Sequence, residues 1–185
     1  MSHINIEIKA RTTRADEIRK ILLDKKAEYK GTDIQTDTYF NIASGRLKLR
    51  QGNIENSLIY YYRENVAGLK QSDFDLLPVD NGDALKSMLT KALGVKIEVK
   101  KSREIYYIEN VKFHIDTLEG LGNFVEIEAG NMHGNLSVDA LREQCAFYMR
   151  DFGITDADLV PVSYSDMLPP SLSFRTERFG TNPTA

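Results

Sequence analysis

The sequence lacks the features that would assign it to several large classes of protein. It has a single cysteine, Cys145, so it can form no intrachain disulfide and offers no cysteine set for a zinc site. No stretch approaches the roughly 20 consecutive apolar residues that a membrane-spanning helix needs. The net charge of -3 excludes the large basic excess of proteins that bind nucleic acid through bulk charge. The composition, with 42% apolar and 28% charged residues, is that expected of an ordinary soluble globular protein.

The length and composition indicate one folded domain. A chain of 185 residues with 42% apolar and 28% charged residues has the size and balance of a single domain. The first residues pass directly into strand-like alternation without a secretory leader, so we expect a cytoplasmic protein. Prolines and small polar residues near the end predict a domain over residues 1–168 and an extended or disordered tail over 169–185. We expect neither nucleic acid nor membrane as a partner, and a homodimer is left open.

Hydrophobic periodicity predicts about eight strands and three helices. Alternation with a period of two, interrupted by turn residues, indicates mostly antiparallel strands, and Ser137 can cap the last helix. The predicted strands cover residues 4–11, 46–51, 57–64, 72–79, 95–108, 110–117 and 123–129, with shorter strand-like pieces in 27–40. The predicted helices cover residues 13–26, 83–93 and the segment after residue 137.

Most of the predicted strands carry charged residues on one face and apolar residues on the other. Side chains two residues apart on a strand share a face, so Lys48 lies with Arg50 and Glu126 lies with Glu128. Such faces most often lie in bulk water, and a shared wet lumen is the alternative. A closed barrel packs the apolar strand faces against helices outside and turns the charged faces toward a wet interior. Closure also pairs the edges of the sheet. We therefore predict an α+β fold: an eight-stranded antiparallel β-barrel with a charged lumen and helices packed outside.

Six short motifs follow one another along the chain. They are Asn5-Ile6-Glu7-Ile8-Lys9, Gln35-Thr36-Asp37-Thr38-Tyr39-Phe40, Leu47-Lys48-Leu49-Arg50, Tyr61-Tyr62-Arg63-Glu64, Lys100-Lys101-Ser102-Arg103, and His114-Ile115-Asp116 continuing to Glu128. In this order they resemble the CYTH domain, or triphosphate tunnel metalloenzyme, family over about residues 4–168. The family includes class IV adenylyl cyclases, thiamine triphosphatases and inorganic triphosphatases. Asn5 departs from its pattern, because the first strand of the family reads Glu-x-Glu-x-Lys.

The resemblance implies a tunnel of eight antiparallel strands whose lining binds phosphate groups and Mg²⁺ or Mn²⁺. The implied phosphate-binding residues are Lys9, Lys48, Arg50, Arg63, Lys101 and Arg103. The implied metal ligands are Glu7, Glu126 and Glu128, with Asp116 as a further candidate. The implied catalytic residues are Glu7, Lys9, Arg50, Glu126 and Glu128.

The chemistry of phosphoryl transfer agrees with these residue types. The reaction needs positioning and neutralisation of charge more than covalent help from the protein. Arginine binds phosphate through a planar fork and lysine as a point charge, whereas hard divalent cations prefer carboxylate oxygens. We therefore expect a metal-dependent enzyme that hydrolyses inorganic, thiamine or nucleoside triphosphate. The alternatives are a class IV-type adenylyl cyclase that makes cyclic AMP, and a non-catalytic module that binds polyphosphate or nucleotide.

Three residues have roles that depend on their surroundings. Asn5 can offer an oxygen to a metal ion, but it brings no charge, so its presence would weaken a second metal site or lower the rate. His114 has the chemistry of a general base or a metal ligand, although a buried histidine satisfied by its neighbours is the commoner outcome. Lys101 shares its strand face with Arg103, so we expect Lys101 inside the lumen and Lys100 outside.

Overall fold

Eight strands form the framework of the computed structural model, which describes residues 3–62, 68–131 and 136–169. In chain order they are β1 (His3–Arg11), β2 (Glu28–Phe40), β3 (Arg46–Gln51), β4 (Ser57–Tyr62), β5 (Lys70–Pro78), β6 (Val95–Ile108), β7 (Val111–Leu118) and β8 (Gly122–Gly130). Neighbouring strands are antiparallel in the ring order β1-β5-β4-β3-β2-β6-β7-β8, and the ring closes because β8 pairs back with β1. The predicted α+β fold with an eight-stranded antiparallel barrel is confirmed.

The helices of the described part of the chain follow the predicted pattern, with two short additions near its end. They are α1 (Ala15–Asp24), α2 (Gly82–Leu93), α3 (Val138–Asp151) and α4 (Tyr164–Met167), with a 3₁₀ turn at Asp156–Asp158. Ser137 caps α3 as predicted, since its hydroxyl accepts a hydrogen bond from the Ala140 amide at 3.2 Å. The sequence did not predict α4 or the 3₁₀ turn, because segments this short carry too little periodicity.

The core lies between the barrel and the helices outside it. On β1, Ile6 and Ile8 are buried against Leu22 of α1 and Leu141 and Cys145 of α3. The intervening charged residues of β1 point to the opposite face, into the lumen. Because the helices cover the apolar face of the strand, the charged residues on its other face lie together in the interior of the barrel.

The strand β2 is one element of 13 residues where the sequence predicted short pieces. It pairs with β6 over its length, with register shifts between Tyr29 and Gly31 and between Tyr39 and Phe40. Gly31 has a φ of 124°, in the region that favours glycine. These irregularities interrupt the strict alternation of side chains, so the pattern alone did not reveal the full length of the strand.

Two predictions concern residues that the structure does not describe. The predicted strand over 57–64 is described as far as Tyr62, and Arg63 lies outside the described residues. The predicted tail lies outside them from residue 170 onward, so the division of the chain at residue 168 stays a prediction. Within the described ranges, no helix is long and apolar enough to cross a membrane.

Candidate functional site

A cavity of about 750 Å³ occupies the interior of the barrel. This size lies within the range of about 300–1,000 Å³ that is typical of small-molecule sites. The strands β1 and β8 stand four places from β2 and β3 respectively in the ring of eight, so their inward faces line opposite walls. The predicted site residues that line the cavity are Glu7, Lys9, Lys48, Arg50, Lys101, Arg103, Glu126 and Glu128. Their roles as ligands stay a prediction.

On one wall, three cations converge on the buried carboxylate of Asp37. Arg50 donates from Nε to Oδ1 at 3.0 Å and from Nη2 to Oδ2 at 3.2 Å. Lys101 and Lys48 donate from Nζ to Oδ2 at 2.7 Å and 3.3 Å. The register explains this meeting, because Asp37 pairs with Arg50 on β3 and with Val99 on β6. Two residues further along on the inward faces lie Lys48 on β3 and Lys101 on β6, and both can reach the same carboxylate.

The charges of this wall shift one another's pKa values strongly. Burial opposes ionisation of Asp37, but Arg50, Lys101 and Lys48 outweigh it and hold the pKa of Asp37 well below its usual range. Burial lowers the pKa of Lys101 to about 7, and the cations Arg103, Arg50 and Lys48 add to that effect against the attraction of Asp37. This wall therefore holds one fixed anion and a lysine that changes charge near neutral pH.

The opposite wall carries the carboxylates. Nδ1 of His114 lies 3.3 Å from Oε2 of Glu126 and 3.4 Å from Oε1 of Glu128. Lys9 forms an ion pair with Glu126 at 3.1 Å, and Arg103 donates to its second oxygen at 2.7 Å. Burial raises the pKa of Glu126, but Arg103 and Lys9 hold it well below the usual range. Burial also opposes ionisation of Glu128, and His114 leads the interactions that lower its pKa to about 2.

The group of His114, Glu126 and Glu128 has the chemistry to hold a divalent cation. Their ligand atoms all lie within 4.8 Å of one another, and an ion with bonds of about 2.1 Å spans at most about 4.2 Å, so binding would draw the side chains slightly closer together. Carboxylate oxygens suit Mg²⁺ and Mn²⁺, and an imidazole nitrogen is a further ligand for transition-metal ions. Nε2 of His114 is buried and has no hydrogen-bond partner in the described part of the chain. Glu7 lines the same cavity opposite Glu128 in the β1–β8 register, outside this close group.

Asp116 lies outside the close group of His114, Glu126 and Glu128, and its role as a further metal ligand stays a prediction. Its carboxylate is fully buried and accepts hydrogen bonds from Nε of Arg103 at 2.7 Å and from the hydroxyl of Tyr164 at 2.8 Å. The β6–β7 register sets Asp116 directly opposite Arg103, so the carboxylate serves as the partner of that guanidinium. Tyr164 also lies under Lys9, whose Nζ is 3.6 Å from the centre of the ring. No sequence pattern marked Tyr164 as a site residue, because α4 was not predicted.

Asn5 occupies the position where the family pattern has an acid. Its Nδ2 lies 3.5 Å from Oε2 of Glu128, at the limit of a hydrogen bond. Its Oδ1 lies 2.6 Å from the place where a Cβ at Gly130 would stand. The absence of a side chain at Gly130 therefore gives Asn5 its room, and Asn5 adds a neutral group to the edge of the carboxylate wall.

Glu55 and Lys112 also line the cavity, although the sequence did not single them out. Glu55 accepts a hydrogen bond from Nη1 of Arg50 at 2.8 Å and forms an ion pair with Lys112 on β7. Asp33 holds the loop that carries Glu55, since its carboxylate accepts the amides of Ile54 and Glu55 at 2.9 Å and 3.0 Å. Strand parity could have found Lys112, two residues before His114, but no periodicity marks a loop residue such as Glu55.

Comparison with known proteins assigns the chain to a family. The model of the CYTH domain matches residues 3–164, so the chain belongs to the CYTH domain family. The resemblance inferred from the six motifs is thereby confirmed. A search among curated protein sequences finds no match.

Solved structures of similar fold come from several organisms. The PH1012 protein of Pyrococcus horikoshii has a TM-score of 0.72 at 22% identity, with 89% of this chain and 99% of that chain covered. A candidate adenylate cyclase of Vibrio parahaemolyticus has a TM-score of 0.73 at 18% identity, covering 90% and 98%. HpAC1 of Hippeastrum, a candidate adenylyl cyclase described as having a dominant triphosphatase activity, has a TM-score of 0.59 at 14% identity, covering 89% and 93%. At these identities the similarity shows the fold.

Proposed function

We propose that this protein is a divalent-metal-dependent enzyme that hydrolyses a triphosphate and releases phosphate. The observation that carries the proposal is the division of the cavity lining. Cations from β3 and β6 meet at Asp37 on one wall, and Glu126 and Glu128 line another wall, with His114 buried beside them. A polyanion and a metal ion need both surfaces to face one enclosed cavity. The substrate class is inorganic, thiamine or nucleoside triphosphate.

Each wall has a distinct task in this mechanism. Lys48, Arg50 and Lys101 would bind phosphate oxygens and neutralise the negative charge that a triphosphate brings. Glu126 and Glu128, with Nδ1 of His114, would hold the metal ion. When bound there, the ion would supply positive charge to the phosphoryl group under attack. The reaction would transfer a phosphoryl group to water.

Arg103 and Lys9 link the two tasks. Both lie in the cavity lining and both contact Glu126, at 2.7 Å and 3.1 Å. They hold the Glu126 carboxylate ionised, which a metal ligand requires. They also bring positive charge to the boundary between the carboxylates and the phosphate-binding wall, where a phosphate chain would meet the metal ion.

An adenylyl cyclase activity is the second candidate. Apolar and aromatic side chains line part of the same cavity and could receive a nucleobase: Tyr39, Ile59, Tyr61, Phe74 and Leu76. The segment Leu118–Gly122 resembles the class IV branch of the family. Attack by the ribose 3′-hydroxyl on the α-phosphate would then replace attack by water. The similarity in fold to proteins described as candidate adenylate cyclases supports keeping this alternative.

The test is a product analysis. The purified protein is incubated with ATP, thiamine triphosphate and inorganic triphosphate, each with Mg²⁺, with Mn²⁺ and with a chelator. Free phosphate is measured by colorimetry and cyclic AMP by mass spectrometry. Hydrolysis predicts metal-dependent phosphate release from at least one substrate. Cyclic AMP and pyrophosphate from ATP would favour the cyclase, and binding without turnover would favour the non-catalytic module.

The near-neutral pKa of Lys101 predicts that binding of a phosphate chain depends on pH. An anion stabilises the protonated amine, so the bound state has a higher pKa than the value of about 7 in the free protein. Above pH 7 binding must therefore take up a proton, and the affinity for tripolyphosphate should fall by up to about tenfold per pH unit. Calorimetry in two buffers of different ionisation enthalpy at pH 8 measures the proton uptake.

Two neighbouring lysines make a matched pair for this prediction. Lys101→Met should weaken binding at pH 7 and reduce the proton uptake, because the titrating amine is gone. Lys100→Met should change neither, because Lys100 is exposed on the outer face of the same strand. Equal proton uptake in all three proteins would contradict the assignment, since the ionisation of tripolyphosphate itself is common to them.

A further inference from the structure

Asp37 already receives the hydrogen bonds that a bound phosphate would receive. Its carboxylate is 2% exposed and accepts from both Nε and Nη2 of Arg50 and from the amines of Lys48 and Lys101. The fork of Arg50 grips its two oxygens in the manner in which arginine grips a phosphate. A carboxylate offers about four acceptor sites, so these four donors nearly saturate it.

This arrangement creates a competition for donors. The same three cations line the cavity and are the candidates for binding phosphate. A phosphate group that binds the Nε–Nη2 fork of Arg50 must displace Asp37 from it, whereas each lysine amine has further N–H donors and would be shared between the two anions. The negative charge of Asp37 also lies within a few ångströms of every position from which a phosphate could contact all three cations, so it repels that phosphate.

A second buried acid on the same strand has different partners. Asp33 accepts hydrogen bonds from the backbone amides of Ile54 and Glu55 and from Nε2 of Gln35 at 2.7 Å. Its role is to hold the β3–β4 loop. The partners of Asp37 are instead cationic side chains of the cavity lining. The two acids are equally buried, and only Asp37 competes with an anionic ligand.

We propose that Asp37 is an internal anion that occupies the three-cation cluster of Lys48, Arg50 and Lys101 in the free protein and competes with phosphate groups for it. The inference rests on the proposed function, in that the cluster binds phosphate. Asp37 is a positioning residue: it holds the cations in place before the substrate arrives. It also limits affinity, so that phosphate products are released as Asp37 regains its partners.

The test measures binding of inorganic phosphate, pyrophosphate and tripolyphosphate without metal to wild type, Asp37→Asn and Asp33→Asn. Isothermal calorimetry gives the dissociation constants, and thermal unfolding with increasing phosphate gives the stabilisation by ligand. Because the variant removes a unit negative charge at close range, Asp37→Asn should bind each anion at least about tenfold more tightly than wild type. Phosphate should also raise its melting temperature more than that of wild type. Asp33→Asn should keep the wild-type affinity.

The opposite sign would overturn the proposal. If Asp37 only scaffolds the cations, its loss scatters them, and a folded Asp37→Asn binds the anions equally or more weakly. Asp37→Ser is a second variant with the same expected direction, and both are purified in phosphate. If neither folds even there, phosphate does not replace the carboxylate and the proposal is wrong. If wild type and both variants bind no anion, the proposed function fails as well. If wild type binds anions tightly and the Asp37 variants bind them no more tightly, only the role of Asp37 is rejected.

Discussion

Replacing Arg103 by methionine is expected to lower the free energy of unfolding by about 3–5 kcal/mol. The side chain is 3% exposed and donates to both oxygens of Asp116, at 2.7 Å and 2.5 Å, and to Glu126 at 2.7 Å. Methionine fills much of the same volume but leaves two buried carboxylates without their main cation. Urea unfolding at pH 7, followed by far-ultraviolet circular dichroism, measures the loss.

A surface pair of similar geometry is the control. Arg19 donates to both oxygens of Glu104 at 2.9 Å and 2.8 Å, on a part of the barrel that water reaches. Arg19→Met should cost no more than about 1 kcal/mol, because solvent screens such pairs and rehydrates the remaining carboxylate. Equal losses in the two variants would contradict the view that desolvated carboxylates in the lumen depend on Arg103.

Glu126→Gln is expected to reduce metal-dependent turnover by at least about a hundredfold, which corresponds to about 2.7 kcal/mol of transition-state stabilisation. Glutamine keeps the size of the side chain but removes the charge that a hard divalent cation prefers. The dissociation constant for Mn²⁺, measured by electron paramagnetic resonance, should rise together with the loss of kcat/KM. Binding of tripolyphosphate without metal should be retained, because the three-cation cluster is unchanged.

A carboxylate on the outer face serves as the control for charge removal. Glu98 on β6 pairs with Lys86 of α2 at 2.6 Å and is partly exposed. Glu98→Gln should leave Mn²⁺ affinity and turnover at wild-type values. Wild-type Mn²⁺ affinity in Glu126→Gln would contradict the proposal that Glu126 is a metal ligand.

Several strands could be predicted from the sequence because they alternate strictly and end at recognisable turns. β3 and β6 were predicted with the bounds that the structure shows, Arg46–Gln51 and Val95–Ile108. Strict parity also separated Lys101, which is buried in the lumen, from Lys100, which is exposed. β2 was harder, since two register shifts disturb its alternation. The strands were predictable through the local alternation of their side chains, and that alternation was weaker wherever the backbone departed from a regular pleat.

The site was less predictable than the fold. Parity showed which charged residues share a strand face, but it could not show which acid each cation would meet across strands. The family resemblance implied Asp116 as a further metal ligand, and only the β6–β7 register shows that Asp116 lies opposite Arg103 and accepts a hydrogen bond from it. Asp37 belongs to one of the six motifs, but the sequence predicted no role for it. Its three cationic partners lie on β3 and β6, the strands on either side of β2, and local pattern does not show such neighbours.

The sequence by itself determined the local facts about this protein: which residues alternate, where turns interrupt them, and which strand faces carry charge. It also carried the ordered motifs that mark the CYTH family. Only the tertiary structure decided how those faces meet. Closure of the ring brings residues far apart in the chain within hydrogen-bonding distance. Because these charged groups are buried, they interact more strongly than charges on the surface do. The pairing of Lys101 with Asp37 and of Arg103 with Asp116 and Glu126 follows from register and desolvation, which no local pattern encodes.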